Sequence, residues 1–378
     1  MITLLVILIL CVLAVLFHRV WTDVNKKRKR LAGRNPYVEG IACLLDGEYG
    51  PALTAFRDAV RAEPQNVDAY LRLGDAMRET GDIARAIQIH RELTVRPSLP
   101  KHTVARVHLS LARDYRKARR LDRAAASYEQ ALEAKPRDEK AMDELLDVYE
   151  ELGDWDRAYL IRRDISKVKR VDDTHALALY KAYVGKSYLD KQNLEEAESA
   201  LKDALKIDSE SAGACLYLGD VYYAQGSIDD AISSWRRIVT LYPAIAYTTF
   251  RRLEKAFYEK GRFEKIVDLY NDVLERNPGD VRTMMTLANI HRKKGNIEEA
   301  LRLCKTALEA EPGSRRVKQA LARLYYEKGD IEQSLRAMVE AFNGFSSDED
   351  HYVCSNCNYK SNEVLWRCPR CKHWETFL

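Results

Sequence analysis

The chain has 378 residues, of which 46% are hydrophobic and 31% are charged, and its net charge is +4. This composition excludes an intrinsically disordered chain, and so small a net charge gives no support for nucleic-acid binding. The length allows two or more domains or one elongated array of repeats.

A long apolar segment opens the chain. Residues 1–21 begin with MITLLVILILCVLAVLF, which is apolar except for one threonine. A helix extended through Trp21 would be about 30 Å long, roughly the thickness of the hydrocarbon core of a bilayer. Positive charges follow the run, at Arg19 and in KKRKR at 26–30, and none precedes it. The positive-inside rule therefore predicts a transmembrane anchor at 1–21, a basic juxtamembrane linker at 22–32, a periplasmic N-terminus and a cytoplasmic body. A buried core helix is the alternative, which the adjoining basic cluster disfavours.

A pattern of about 34 residues recurs through the middle of the chain. Each unit reads as a helix, a tight turn, a second helix and, in most units, a proline. Two longer steps fall near 96–102 and 169–175, where we expect longer loops between repeats. The units begin near residues 33, 67, 105, 139, 178, 212, 247, 281 and 315.

Small and turn-forming residues recur at fixed places in these units. We expect two registers of small residues where paired helices approach closely. The first register holds Gly40, Gly74, Ala112, Gly185, Gly219, Ala288 and Ala322, and the second holds Ala52, Ala86, Ala124, Ala158, Ala197, Ala231 and Ala300. Glycines at the turn supply the left-handed conformation that ends the first helix; they are Gly47, Gly81, Gly153, Gly226, Gly261, Gly295 and Gly329. Prolines stop the second helix; they are Pro64, Pro136, Pro243, Pro278 and Pro312.

This pattern resembles the tetratricopeptide repeat, which implies an all-α superhelical solenoid of nine repeats at residues 33–345. Repeats of this kind contact only their neighbours and enclose no pocket, so they offer a surface that grips a partner. The sequence contains no P-loop, dinucleotide-binding fingerprint, nucleophile elbow or HExxH motif. Isolated histidines, at 90, 108, 175 and 291, read as core or surface residues. We therefore predict a protein that is not an enzyme.

Alignment of the repeats places several arginines, tyrosines and one lysine on the inner face of the first helices. Arginine and tyrosine are enriched at interface hot spots, so we predict that this set binds a partner. Ordinary solvated charges and half-packed tyrosines are the alternative. The predicted partner-binding residues are Arg113, Arg116, Lys117, Tyr223, Tyr258, Arg323 and Tyr326.

Four of the eight cysteines lie in the last 25 residues. Cys354, Cys357, Cys368 and Cys371 have the spacing C-x2-C-x10-C-x2-C, which brings four thiolates around one tetrahedral metal ion. Such a site accepts zinc or iron, and the sequence does not separate them. The remaining cysteines are scattered singly, which is typical of a reducing compartment and not of a disulfide framework. We predict one zinc or iron ion in a module at 352–378.

The cysteine motifs YVCSNCNY and CPRC resemble rubredoxin. Rubredoxin-type knuckles usually continue with glycine, where this chain has Asn358 and Lys372. That difference and the short segment between the knuckles weaken an electron-transfer function. A zinc ribbon that binds nucleic acid is another alternative, which the few basic residues do not favour. We expect an acidic linker at 346–351 and an apolar face on the module, packed on the last repeats; its residues are Tyr352, Trp366, Trp374 and Phe377.

The combination of anchor, nine repeats and the terminal LWRCPRCKHWETF resembles the lipopolysaccharide assembly protein B family. The resemblance implies a bacterial inner-membrane adaptor that helps a membrane AAA+ protease degrade the deacetylase committing the cell to lipid A synthesis. It also implies contact with proteins of lipopolysaccharide synthesis and export. Two alternatives remain open: a rubredoxin-like iron protein that transfers electrons, and a generic membrane-tethered scaffold.

Overall fold

The computed structural model describes residues 35–342, 352–361, 365–371, 373–374 and 376–377. The predicted anchor and both predicted linkers lie outside these residues. Across the described part of the chain, no helix combines the length and apolar character needed to cross a membrane. The chain divides into two compact units, Met1–Arg170 and Val171–Leu378.

Residues 35–342 form nine successive helix pairs, here called repeats one to nine. In the first unit the pairs are α1 (Pro36–Leu45) with α2 (Tyr49–Ala62), α3 (Val67–Glu79) with α4 (Ile83–Thr94), α5 (Lys101–Lys117) with α6 (Leu121–Ala134), and α7 (Glu139–Leu152) with α8 (Trp155–Lys169). In the second unit they are α9 (Thr174–Asp190) with α10 (Leu194–Ile207), α11 (Ala212–Ala224) with α12 (Ile228–Leu241), α13 (Tyr247–Glu259) with α14 (Glu264–Arg276), α15 (Val281–Lys293) with α16 (Ile297–Ala310), and α17 (Arg315–Lys328) with α18 (Ile331–Phe342). A 3₁₀ turn, Pro243–Ile245, precedes α13. The prediction of an all-α array of tetratricopeptide-type repeats is confirmed.

Local sequence signals fix the ends of these helices. All seven glycines predicted at the turns have positive φ, between 68° and 90°. Arg119 and Gln192 take the same left-handed conformation in repeats that lack the glycine. Each of the five predicted prolines lies two residues beyond the last residue of a second helix. Asn66 and Asp138 cap the following helices by accepting backbone N–H bonds.

The close approach within a pair involves a contact that the sequence pattern did not predict. The alanines of the second register are fully buried, as expected. The glycines of the first register, however, lie against a large side chain sixteen residues further on. A Cβ on Gly40 would lie 2.7 Å from the Phe56 ring, and one on Gly219 would lie 2.3 Å from Trp235 Nε1. These glycines therefore make room for a bulky residue of the second helix.

The extra residues at the two longer steps between repeats do not all lie in loops, as the sequence had suggested. The first helices α5 and α9 are each 17 residues long, whereas the other first helices have 10 to 14. Part of each insertion is therefore an additional helical turn and not loop. Pro100, directly before α5, has φ −59°, a value compatible with a helix start.

Candidate metal centre and partner-binding face

The first cysteine knuckle is built on a short hairpin. Strands β1 (Tyr352–Val353) and β2 (Lys360–Ser361) pair antiparallel. Between them, the Cys354 N–H donates to the Tyr359 carbonyl and the Asn358 N–H donates to the Cys354 carbonyl, both at 2.9 Å. Asn358 has φ +55°, so asparagine occupies the left-handed position where rubredoxin-type knuckles usually have glycine.

The second knuckle is closed by bonds to its own cysteines. The Cys368 N–H donates to the His373 carbonyl at 2.8 Å, and the Cys371 N–H points at Cys368 Sγ from 3.5 Å. An isolated β-bridge between Cys354 and Phe377 joins the first knuckle to the segment that follows the second. Backbone N–H groups directed at sulfur are a usual feature of thiolate metal sites.

The two knuckles bring the four predicted cysteines together. All four sulfurs lie within 4.8 Å of one another. Cys354 Sγ lies 3.6 Å from Cys371 Sγ, and Cys357 Sγ lies 3.5 Å from Cys368 Sγ. A tetrahedral metal with bonds of about 2.3 Å requires sulfurs about 3.8 Å apart, so the spacing fits one zinc or iron ion.

The surroundings of Cys354 and Cys371 favour the ionised form that binds metal, since both thiols have lowered pKa values, whereas burial raises the pKa of the Cys357 thiol to about 12. A hydrogen bond from the Asn356 side chain lowers the pKa of the Cys371 thiol to about 5. Cys354 and Cys368 are fully buried and the other two are partly accessible. Burial raises the pKa of Cys304 to about 11, so this thiol, outside the module, stays protonated.

Aromatic contacts hold the metal module against the repeats of the second unit, to which it belongs. The Trp374 ring packs edge-on against Tyr180 at 5.2 Å and against Tyr183 at 5.3 Å, both on α9. Trp366 is only 6% exposed and belongs to the same core cluster as the repeats of this unit. The module therefore shares a hydrophobic core with repeats five to nine.

A second contact lies near the N-terminal ends of α13 and α15. Tyr352 stacks on Tyr247, with 5.7 Å between ring centroids and 11° between planes. The Arg282 guanidinium lies 4.4 Å from the Tyr247 ring and 5.0 Å from the Tyr352 ring. The module thus contacts repeats seven and eight near the end of the array, as expected, and also repeat five, which the sequence did not predict. The physical reason is where these first helices carry their aromatic and basic side chains, which lie at the start of α13 and α15 (Tyr247 and Arg282) and in the middle of α9 (Tyr180 and Tyr183).

The predicted partner-binding residues of the second unit lie further along the first helices. Tyr223 donates to Glu259, and the Lys255 amine lies 4.7 Å from its ring. Tyr258 and Tyr326 are 69% and 67% exposed. Arg323 pairs with Glu327 at 3.2 Å. These side chains remain accessible in the described structure, and their role in binding stays a prediction.

The predicted basic residues of the first unit are mostly engaged within the chain. Arg113 forms two 2.8 Å bonds with Glu144, and Arg116 binds Glu151 at 2.6 Å. Both pairs join the third repeat to the fourth. Lys117 is exposed beside them. The arginines therefore stabilise the stack of repeats, whatever they contribute to partner binding.

Sequence reasoning identified His90 only as a core or surface residue. Its Nδ1 lies 2.5 Å from Asp114 and its Nε2 lies 3.1 Å from the Leu71 carbonyl, and both His90 and Asp114 are fully buried. Arg78 also donates to Asp114, at 3.0 Å. Because both ring nitrogens face acceptors, His90 carries both protons and forms part of a buried ion cluster between repeats two and three. In the sequence, this cluster could have been found only by matching His90 with Asp114, a residue 24 positions further on in the next repeat.

Comparison with known proteins agrees with this architecture. The tetratricopeptide repeat profiles match residues 40–97, 109–163, 185–244, 257–324 and 291–341. The profile described as a rubredoxin metal binding domain matches residues 352–378. Among solved structures, the crystal structure of MamA covers 43% of this chain and 94% of its own at 22% identity, with a TM-score of 0.33, too low to bear on function.

Two curated relatives align over nearly the whole chain. Lipopolysaccharide assembly protein B of Escherichia coli (strain K12) is 24% identical over 353 residues, which are 93% of this chain and 91% of the relative. The protein of the same name from Haemophilus influenzae is 22% identical over 94% of this chain and 90% of its own. The repeats, the terminal metal-binding domain and these full-length relatives show that the chain belongs to the lipopolysaccharide assembly protein B family.

Proposed function

We propose that this protein is an inner-membrane adaptor in lipopolysaccharide assembly. Its repeats hold the deacetylase that commits the cell to lipid A synthesis, and they present it to a membrane AAA+ protease. The observation that carries this proposal is the full-length similarity to lipopolysaccharide assembly protein B, joined to an open face of first helices in the second unit. Contacts with other proteins of lipopolysaccharide synthesis and export belong to the same proposal.

Each part has a role in this function. An anchor at residues 1–21 would confine the repeats beside membrane partners and raise their effective concentration without new contacts. A zinc or iron ion held by Cys354, Cys357, Cys368 and Cys371 would cross-link two knuckles that contain little core of their own. Trp374 and Tyr352 then fix the module on the repeats. The metal acts as a structural clamp, and no catalytic role is proposed for any residue.

Site-specific crosslinking tests the adaptor function. A photoreactive amino acid replaces Tyr258, which is exposed on the open face, in the full-length chain within cells. We expect crosslinks to the AAA+ protease or to the lipid A deacetylase. The same substitution at Tyr159, on α8 of the first unit, controls for the position. Crosslinks only to proteins unrelated to lipopolysaccharide would favour the generic scaffold.

A further inference from the structure

The last helix of the array carries an apolar face that is open to solvent in the described structure. Its spacing places the face on one side of α18, apart from Ala337 and Ala341, which are buried. The face leaves about 500 Å² of apolar surface exposed, as much as the largest patch on a typical monomer. Five large residues, each between 48% and 66% exposed, form it: Ile331, Leu335, Met338, Val339 and Phe342.

Equivalent residues of the other second helices are buried or charged. In repeat eight, Leu301 stands at the place of Leu335 and is buried in the core of the second unit. Cys304, at the place of Met338, is buried there too. The residue at the place of Val339 is charged in seven of the eight other repeats, as with Lys305 of repeat eight. The apolar face of α18 is therefore wider than the surface on which one repeat packs against the next.

The two ends of the array differ in polarity. Arrays of this kind usually end in repeats with a polar outer face, which keeps them soluble. Val317 and Leu321 are buried in the last repeat. At their places the first repeat has the exposed polar residues Asn35 and Glu39. Since α18 ends the described array with an apolar face instead, we infer that another element covers it.

The chain that follows α18 is poorly suited to cover this face. Residues 343–351 read NGFSSDEDH, with one large apolar residue and three acidic ones. So short and acidic a segment offers no apolar helix face. In the module beyond it, Tyr352, Trp366 and Trp374 already pack on other repeats. The cover must therefore come from outside this part of the chain.

The order of residues along α18 suits a second copy of the same helix. In a two-fold symmetric pair, each contact between two different residues is made twice. An axis that passes just after Arg336 brings Ile331 of one antiparallel copy opposite Phe342 of the other. The same axis brings Leu335 opposite Met338. Two such faces would bury about 1,000 Å², which reaches the lower limit for a specific interface.

We propose that two copies of this chain pair through α18, antiparallel and with two-fold symmetry. The anchor proposed for residues 1–21 would hold both copies in one membrane, which raises their effective concentration and favours an interface of modest area. The pairing does not depend on which proteins the repeats bind, so it goes beyond the adaptor function.

Site-specific crosslinking in cells tests which molecule covers α18. A photoreactive amino acid replaces Leu335 in the full-length chain. We expect a product with twice the mass of the chain, in which mass spectrometry finds position 335 of one copy joined to residues 331–342 of the other. The control position is Leu45, a leucine that is 83% exposed on α1, and it should give no such product.

Charged variants test the antiparallel order. Full-length copies with two different affinity tags are co-expressed, solubilised in detergent and co-purified. Leu335→Glu in both copies, or Met338→Lys in both, should lower co-purification about tenfold or more, because each pair buries two unpaired charges. Leu45→Glu in both copies should leave it unchanged. Leu335 and Met338 are both exposed in the described structure, so every variant should keep the wild-type helical circular dichroism.

A mixed pair provides the sharpest test of the two-fold axis. One copy carries Leu335→Glu and the other carries Met338→Lys. Co-purification should recover to within about threefold of wild type, because the two introduced charges face each other while the unchanged methionine and leucine meet at the symmetric contact.

Four results would overturn the pairing: no crosslinked product at position 335, crosslinks only to another protein or to residues 1–34 or 343–378, wild-type co-purification in the single variants, or no recovery in the mixed pair. The adaptor function fails separately. If the mixed pair recovers while Tyr258 crosslinks to neither the protease nor the deacetylase, the pairing stands and the adaptor function fails. If Tyr258 crosslinks to either protein while position 335 gives no product between copies, the adaptor function stands and the pairing fails.

Discussion

Replacing Trp374 with alanine should release the metal module from the repeats without removing the metal. Trp374 makes two edge-on contacts, with Tyr180 and Tyr183. Each such aromatic pair contributes about 1 kcal/mol beyond area burial, and burying roughly half of a tryptophan adds about 2 kcal/mol. Because these contributions overlap, we expect a loss of about 3 kcal/mol, which shifts the docking equilibrium about a hundredfold.

Trypsin digestion measures this shift. Cleavage at Lys360, Arg367 or Arg370 requires the module to open, and the rate of cleavage of a transiently open state follows its population. We expect cleavage in the module to be about a hundredfold faster in Trp374→Ala, with one metal ion per chain still bound.

The control is Tyr258→Ala, which removes an exposed aromatic residue from a first helix of the same unit. This variant should digest at the wild-type rate. A change of less than about threefold in Trp374→Ala, with metal retained, would refute the contribution assigned to the tryptophan contacts.

Three further predictions concern packing, pH and metal. Gly219→Ala should lower the free energy of unfolding in urea by about 1–3 kcal/mol, because its Cβ would collide with the facing tryptophan; Gly279→Ala, with no atom within 4 Å of its Cβ, should change it by less than about 0.5 kcal/mol. Burial opposes the charged form of His90, but the facing carboxylate outweighs it and raises the pKa of His90 above the unfolded value of about 6.5. The first unit should therefore lose stability as pH rises from about 6.5 through the folded pKa. In His90→Gln the urea midpoint should no longer fall over this pH range, and an equal fall in both proteins would contradict the assignment. The double variant Cys368→Ser with Cys371→Ser should lose its metal in elemental analysis and keep most of its helical circular dichroism, whereas loss of that helical signal would show that the repeats depend on the metal.

Much of the repeat architecture follows from local sequence rules. Glycines in the left-handed conformation at the turns and prolines after the second helices are steric requirements of single positions, so they can be predicted without a structure. The four-cysteine cluster can be predicted for the same reason, since the C-x2-C spacing fixes the position of the two thiolates in each knuckle. Asn358 likewise takes the left-handed conformation that asparagine tolerates.

The remaining features depend on contacts between distant parts of the chain. The docking of Trp374 on α9 joins residues almost 200 positions apart, and the sequence showed only that the module needs an apolar partner. The burial of His90 depends on a carboxylate in the next repeat. Periodicity predicts which face of each helix is buried. It does not predict on which repeats the metal module packs.

The half-life of the lipid A deacetylase tests the adaptor function most directly. Pulse-chase labelling would follow the deacetylase in cells that contain the full-length chain, lack it, or contain the Cys368→Ser, Cys371→Ser variant. We predict rapid degradation only with the wild-type chain, and a stabilised deacetylase with accumulating lipopolysaccharide in the other two. An unchanged half-life in cells that lack the chain, with the AAA+ protease still active on another substrate, would contradict the proposed function.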